Sequence, residues 1–373
     1  MAGLPPWKTH RPSAKPTLRT SPQKPPRNWL NRDSRWRERI DTVARNALAP
    51  STQAGYRSAW NLFVKFCDEH GIDDSLRFPA DELVLCAFAA SHAGLKAGGT
   101  VLNRISGLKA WHALHNLQWQ GSARLSYVVK GVTNMEPTSA VKPPRPPISA
   151  EMLRKLHDKL DLDIPLHAAV FAVATVAFWG QCRLGELSAS SALNTQDPSL
   201  PAISLLERHS KKDGSRILHL PCTKTNRRNG QDVVLTRQDK RTNPMRAVAR
   251  LIQANGRVDR SRHLFAYKTG CDGGLRSLTK ERFLKFINAI WSPMGYPRVT
   301  GHCFRIGGTT ELLLGGVSPE LVKAMGRWKS DAFLRYWRDM GGLAAKFASD
   351  LKKRQLPSAP TPQRTRASAR RKH

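Results

Sequence analysis

Apolar positions recur along this chain every three or four residues, and proline and glycine break the pattern at intervals. Tyr56, Trp60, Phe63 and Cys67 follow one another at spacings of four, three and four, the stripe of an amphipathic helix. Ser51-Thr52 is placed to cap this helix and His70-Gly71 to close it. Pro79-Ala80-Asp81-Glu82 opens a second helix through Val84, Leu85, Phe88 and Ala89. Thr100 opens a third, with Val101, Ile105, Leu108 and Trp111 inward. Residues 34–140 therefore read as an all-helical domain. The run Val141-Lys142-Pro143-Pro144-Arg145-Pro146-Pro147 follows. So many prolines make 141–148 a stiff, extended linker and the clearest domain boundary.

Beyond the linker the pattern changes. Ser149 caps a helix with Glu151 in its first turn. Ile164 to Gly180 is apolar but interrupted by Pro165, His167 and Thr175, so it reads as a buried helix and not a membrane span. Ile217-Leu218-His219-Leu220 and Val233-Val234-Leu235 flank Thr223 to Gly230, a hairpin with a long basic turn. Residues 240–296 return to helices, from Pro244 to Ala254 and from Thr279 to Trp291, with His263-Leu264-Phe265 as a short connector. Thr300 is placed to cap a helix that runs through Leu314 and ends at Gly315-Gly316. Ser318-Pro319-Glu320 starts another, which reaches about Gly326, and a third begins near Ser330-Asp331. The expected fold class is mainly α with a small β-sheet: a helical N-terminal domain followed by an α+β domain over 149–351.

Charge changes the picture from a helical protein to a polyanion binder. Sixty-one Lys and Arg face 28 Asp and Glu, a formal net charge of +33 over 373 residues. Nucleic acid is the leading partner, and an anionic membrane surface is the other. The 10 Trp and 12 Phe supply core material that a purely packaging protein rarely carries. Residues 1–33, with Asp33 as their one acid, and 352–373, with eight Lys/Arg and no acid, read as disordered basic arms. They are either flexible tails or aids to DNA contact and nuclear entry. Arg57, Lys65, Arg104 and Lys109 stand outside the apolar stripes, on faces that either meet phosphates or are simply solvated. The six cysteines are dispersed without a CxxC pair. This argues against a zinc site and a disulfide framework and fits a reducing compartment. The start of the chain lacks an apolar signal-peptide core. No metal and no cofactor is expected.

Candidate chemistry is spread over the second domain. Arg183 follows the apolar helix, with Glu186 three residues on. A buried arginine must be paired or bound to an anion, and an Arg183–Glu186 ion pair meets that demand as well as a ligand does. Lys224 sits in the hairpin turn, where a lysine is ordinarily solvated. His302 and Arg305 share one face of the first turn of their helix. Backbone N–H groups and the helix dipole favour an anion there. Trp328 and Tyr336 follow.

In this order Arg183, Lys224, His302-x-x-Arg305, Trp328 and Tyr336 resemble the catalytic set of the tyrosine recombinase, or phage integrase, family. The resemblance covers roughly residues 40–350. The segment Gly326-Arg327-Trp328-Lys329-Ser330-Asp331-Ala332-Phe333 resembles eukaryotic members carried by Crypton- or DIRS-type mobile elements. It implies a core-binding-like N-terminal domain and a catalytic domain that form a C-shaped clamp on double-stranded DNA. It further implies a homotetrameric synapse, no membrane partner, and residence in the nucleus if the source is eukaryotic, otherwise with DNA in the cytoplasm. Tyr336 would be the nucleophile and form a 3′-phosphotyrosyl link. Arg183 and Arg305 would clamp the non-bridging oxygens, and His302 would help take the Tyr proton. Lys224 would protonate the departing 5′-oxygen, while Trp328 would donate to a phosphate oxygen or pack the arginine clamp. One departure stands out. The family's nine-residue step back from the Tyr lands on Arg327, whereas its usual separation from the second Arg lands on Trp328, which is preferred here. The alternatives are a type IB topoisomerase-like enzyme and a non-catalytic, domesticated DNA-binding protein.

The charge balance generates a prediction. If roughly 6–10 phosphates are neutralised, DNA affinity should fall about 10³- to 10⁵-fold between low and moderate salt. A titration of binding against salt concentration checks it, and a nearly flat dependence would remove phosphate contacts as the main source of affinity.

Overall fold

Residues 34–140, 143, 145–270 and 273–336 are described by a computed structural model. The two arms expected at 1–33 and 352–373, much of the linker's first half, and residues 337–351 lie outside the described residues. The chain divides into two compact units at residues 143–144.

The first unit consists, among the described residues, of five α-helices: α1 (Ser34–Asn46), α2 (Pro50–Glu69), α3 (Glu82–Ala90), α4 (Gly98–Leu114) and α5 (Ala123–Asn134). On α2 the buried positions are Ala59, Phe63, Phe66 and Cys67, while Tyr56 and Trp60 are half-buried. Phe63 meets Phe88 of α3 edge-on at 5.4 Å, and Trp60 stacks on Trp111 of α4 with centroids 3.6 Å apart. Asp81 caps α3 by accepting from the Leu83 N–H at 2.7 Å. Two helix starts differ from expectation. α2 begins at Pro50 instead of within Ser51-Thr52, because a proline at the first position forfeits no hydrogen bond. α4 begins at Gly98, before Thr100, where the Gly98 N–H finds Glu136 at 3.1 Å.

The second unit is built around one helix. α7 (Pro165–Trp179) is buried at every position from Ala168 to Phe178, as a helix apolar on all sides must be. Around it pack α6 (Ala150–Lys159), capped by Ser149, and α9 (Pro244–Asn255). α10 (Lys280–Trp291), capped by Thr279, and α11 (Gly301–Leu314) pack on it as well. The short helix α8 (Leu184–Leu187) follows α7, and α12 (Pro319–Met325), capped by Ser318, follows α11. The expected hairpin is present as β1 (Arg216–Leu220) and β2 (Gln231–Leu235), antiparallel, with Leu218 opposite Val233. Its Leu218, Leu220, Val233 and Leu235 all face the core. A second hairpin, β3 (Ala266–Thr269) with β4 (Gly274–Ser277), interrupts the stretch expected to be helical. The third helix expected after Ser330 is a 3₁₀ turn over Asp331–Tyr336 in its described part.

Two adjacent glycines set how closely α11 approaches its neighbours. A methyl group at Gly307 would run into the Ile148 carbonyl, and one at Gly308 into the Phe178 carbonyl of α7. Backbone, not a side chain, is the obstacle, so neither contact can relax by a rotamer change. Gly308→Ala should therefore destabilise the second unit by about 1–3 kcal/mol. Gly55→Ala in α2 meets open space and should stabilise the first unit by about 0.5–1 kcal/mol. Denaturant unfolding of each variant checks both signs.

Candidate active site: arginines around one buried carboxylate

α7 ends at Gly180, and the chain reverses through Gln181, which is fully buried with φ at +48°. Arg183 then stands at the N-cap of α8. Its N–H donates to Glu186 Oε2 at 2.9 Å, and its Nη1 donates to Glu186 Oε1 at 2.8 Å. The Glu186 side chain is only 5% exposed, whereas that of Arg183 is 26% exposed. Arg327, in the turn after α12 and also at positive φ (+56°), adds a second ion pair. Its Nη2 donates to Glu186 Oε2 at 3.0 Å and its Nη1 to the Gly180 carbonyl at 3.2 Å.

Arg305, on α11, is completely buried. Its Nη1 donates to the Gln181 carbonyl and its Nη2 to the Gly326 carbonyl at 2.6 Å. The Trp328 ring lies over the guanidinium, 3.8 Å from centroid to carbon, a cation–π contact in a desolvated setting. Phe333 backs that ring, with centroids 6.5 Å apart. Gln181 ties the arrangement together, because its Oε1 accepts from Thr309 Oγ1 at 2.8 Å while its carbonyl holds Arg305. A side chain at Gly326 would run into both the Trp328 indole and the Gln181 amide.

Two guanidinium groups thus pair with one buried carboxylate, and a third, Arg305, lies close enough to feel the charge of all three. Burial, with Arg183 and Arg327 as like-charged neighbours, pushes Arg305 down to about 9. It remains charged at neutral pH, so the site carries uncompensated positive charge that an anion would relieve. Forked N–H donors held by the protein before a ligand arrives suit the tetrahedral oxygens of a phosphodiester.

Arg183, Arg305 and Trp328 therefore come together. His302 is half-buried in the first turn of α11, three residues before Arg305. Lys224 is exposed in the β1–β2 turn. Thr223 and Thr225 hold that turn through Gln231 at 2.8 and 3.1 Å. Among the described residues the turn that carries Lys224 shares no hydrogen bond or ion pair with Glu186 or Gln181. Tyr336 ends the 3₁₀ turn; its side chain lies outside the described residues. Glu186 reads from sequence as a partner of Arg183, but its hold on Arg327 does not. Gln181, two residues beyond the apolar helix, is missed altogether. Among the described residues no group of three or more His, Cys, Asp or Glu side chains is arranged to hold a metal ion, and no helix is long and apolar enough to cross a membrane.

No protein-family profile and no curated protein matches the sequence. Solved structures do match. The chain is similar to the XerH site-specific recombinase in its post-cleavage complex with the palindromic difH substrate, with a TM-score of 0.55 and 15% identity over 87% of each chain. A Tn1549 transposon integrase in complex with transposon right end DNA aligns with a TM-score of 0.44 and 12% identity, over 79% of this chain and 99% of that one. The likeness to the first establishes the fold: mostly helical, with two small antiparallel sheets, as in tyrosine recombinase catalytic domains.

Behind α8 lies His263, 2% exposed, with Nε2 3.1 Å from the Leu187 carbonyl and Nδ1 3.3 Å from Ser277 Oγ. Burial pushes its pKa down to about 4, against the raising effects of the Leu187 carbonyl and the Asp197 charge. Between about pH 6.5 and 4 the unfolded chain binds this proton and the folded chain does not. Stability should therefore be full above that window and fall by about 3 kcal/mol as pH drops through it. Unfolding free energies measured across the window should lose most of that slope in His263→Gln.

Proposed function

We propose that this chain is a site-specific DNA recombinase that cuts and rejoins strands through a 3′-phosphotyrosyl intermediate. The observation that carries the reading is the arginine pair of fully buried Arg305 and partly open Arg183, held by Gln181, Trp328 and Glu186 with more positive than negative charge around it. The Tyr336 hydroxyl attacks the phosphorus, a Tyr–O–P bond forms, and the P–O bond to the 5′-oxygen breaks. His302 helps accept the Tyr proton, and Lys224 donates a proton to the departing 5′-oxygen. Arg183 and Arg305 bear on the non-bridging oxygens as charge builds in the transition state. Attack by a 5′-hydroxyl from another duplex reverses the steps and completes strand exchange. The bond energy is kept in the phosphotyrosine, so the reaction takes no cofactor.

In this reading the helical first unit (34–140) is the core-binding-like DNA module, joined by the 141–148 linker to a catalytic domain over 149–351. The basic arms at 1–33 and 352–373 add phosphate contacts that position without specifying sequence. The working assembly is a homotetramer on two duplexes, encoded by a mobile element, and nuclear if the source is eukaryotic.

The test uses the full chain and a nicked duplex that traps the covalent intermediate. The duplex is selected by the wild-type protein from a random-sequence library. Wild type should stay attached to DNA under denaturing conditions, in chelator as in magnesium. Tyr336→Phe should bind normally and form no adduct. Arg305→Ala should slow adduct formation by about 10²- to 10³-fold. Adduct from Tyr336→Phe would overturn the nucleophile, binding without adduct in wild type would favour the non-catalytic alternative, and adduct without exchange between two sites would favour a topoisomerase.

A further inference from the structure

Arg327 is a buried guanidinium to which the reaction above gives no task. We propose that Arg327 is a positioning residue that neutralises Glu186, so that Arg183 is aimed at the phosphate and not absorbed by its own ion pair. This inference rests on the strand-transfer reading.

The hydrogen bonds divide Glu186 between its partners. Oε1 receives Arg183 Nη1, whereas Oε2 receives the Arg183 N–H and Arg327 Nη2. Arg327 itself points inward: its side chain is 5% exposed, and its two terminal nitrogens are engaged by Glu186 and the Gly180 carbonyl. Arg183 keeps about a quarter of its side-chain surface open, with Nη1 alone committed to the carboxylate. A buried carboxylate with a single cation would draw that cation fully onto itself, because an unpaired charge in this setting is costly. A second cation on the far oxygen removes that pull.

The backbone explains how one short turn serves two arginines. At φ +56° the chain corners sharply at Arg327. Arg327 reaches Glu186, and the ring of its neighbour Trp328 lies over the Arg305 guanidinium. Adjacent side chains thus set Arg183 and Arg305 from one corner.

A double-mutant cycle tests the proposal on the full chain with the selected nicked duplex. Arg327→Met should slow adduct formation by about 10²-fold, the scale of a small misplacement of catalytic groups, with little change in affinity for the duplex. Glu186→Gln removes the charge that would draw Arg183 away, so it should slow the reaction less than Arg327→Met does, and the double variant should be no slower than Glu186→Gln alone. Arg327→Lys, which keeps the charge, should recover part of the rate. An undiminished loss from Arg327→Met in the Glu186→Gln background would mean that Arg327 touches the phosphate directly, and an unchanged rate in Arg327→Met would leave it without a role; either result overturns the inference. Denaturant unfolding of the same four proteins reads the link without DNA: the two changes should destabilise less together than the sum of their separate effects, and strict additivity also overturns it. If wild type forms no adduct, or Tyr336→Phe forms one, the strand-transfer reading falls, and the unfolding cycle still separates that failure from a failure of the Glu186–Arg327 link.

Discussion

Arg305 has been taken out of water, and much of the second unit is organised around meeting that cost. An isolated charged guanidinium in an apolar interior is prohibitive. Two backbone carbonyls, from Gln181 and Gly326, accept its terminal N–H groups, and the Trp328 face covers it. Those carbonyls come from separate loops, one after α7 and one after α12. Arg305 therefore staples both loops to α11. Glu186 does the corresponding task for Arg183 and Arg327. Losing one member of such a buried set is expected to cost about 3–5 kcal/mol, since the remaining charge is stranded.

Electrostatics and packing reinforce one another here. Gly307 and Gly308 let α11 lie against backbone, which excludes solvent from the first turns where Arg305 projects. Dry surroundings strengthen each hydrogen bond to that guanidinium and also sharpen its repulsion from Arg183 and Arg327. The result is a site with excess positive charge, set in place by the fold and suited to an anion. Preorganisation of this kind lets charge stabilisation act without reorganisation during reaction.

Local signals carried much of the fold. Asp81, Ser149, Thr279 and Ser318 are read as starts because a short polar side chain can accept from an N–H in the first turn, and each does so. The apolar run ending at Trp179, interrupted at Pro165, His167 and Thr175, is the buried central helix because it is apolar on every side. The β3–β4 hairpin escaped notice because its strands have only four residues each, too few for alternation to stand out against neighbouring helices, although Gly270, Gly273 and Gly274 marked the turn. In the site, Arg183, Arg305 and Trp328 can be picked out by residue type and order. The Glu186–Arg327 bond joins positions 141 apart, and no local pattern encodes a contact of that range. Gln181 hides for another reason: a left-handed backbone at a non-glycine residue is visible only in three dimensions.

The glycine contacts of α11 also have a mechanical meaning. With Gly307 and Gly308 seated on the carbonyls of Ile148 and Phe178, this helix can neither slide nor roll without backbone collision. Gly315 and Gly316, the latter at φ +86°, come directly after it and lead into α12, whose packing is a small cluster of Leu312, Leu313 and Val322. Between α11 and the Tyr336 position the chain turns at Gly316 and again at Arg327, both at positive φ, so these two corners set where that segment starts relative to the arginines.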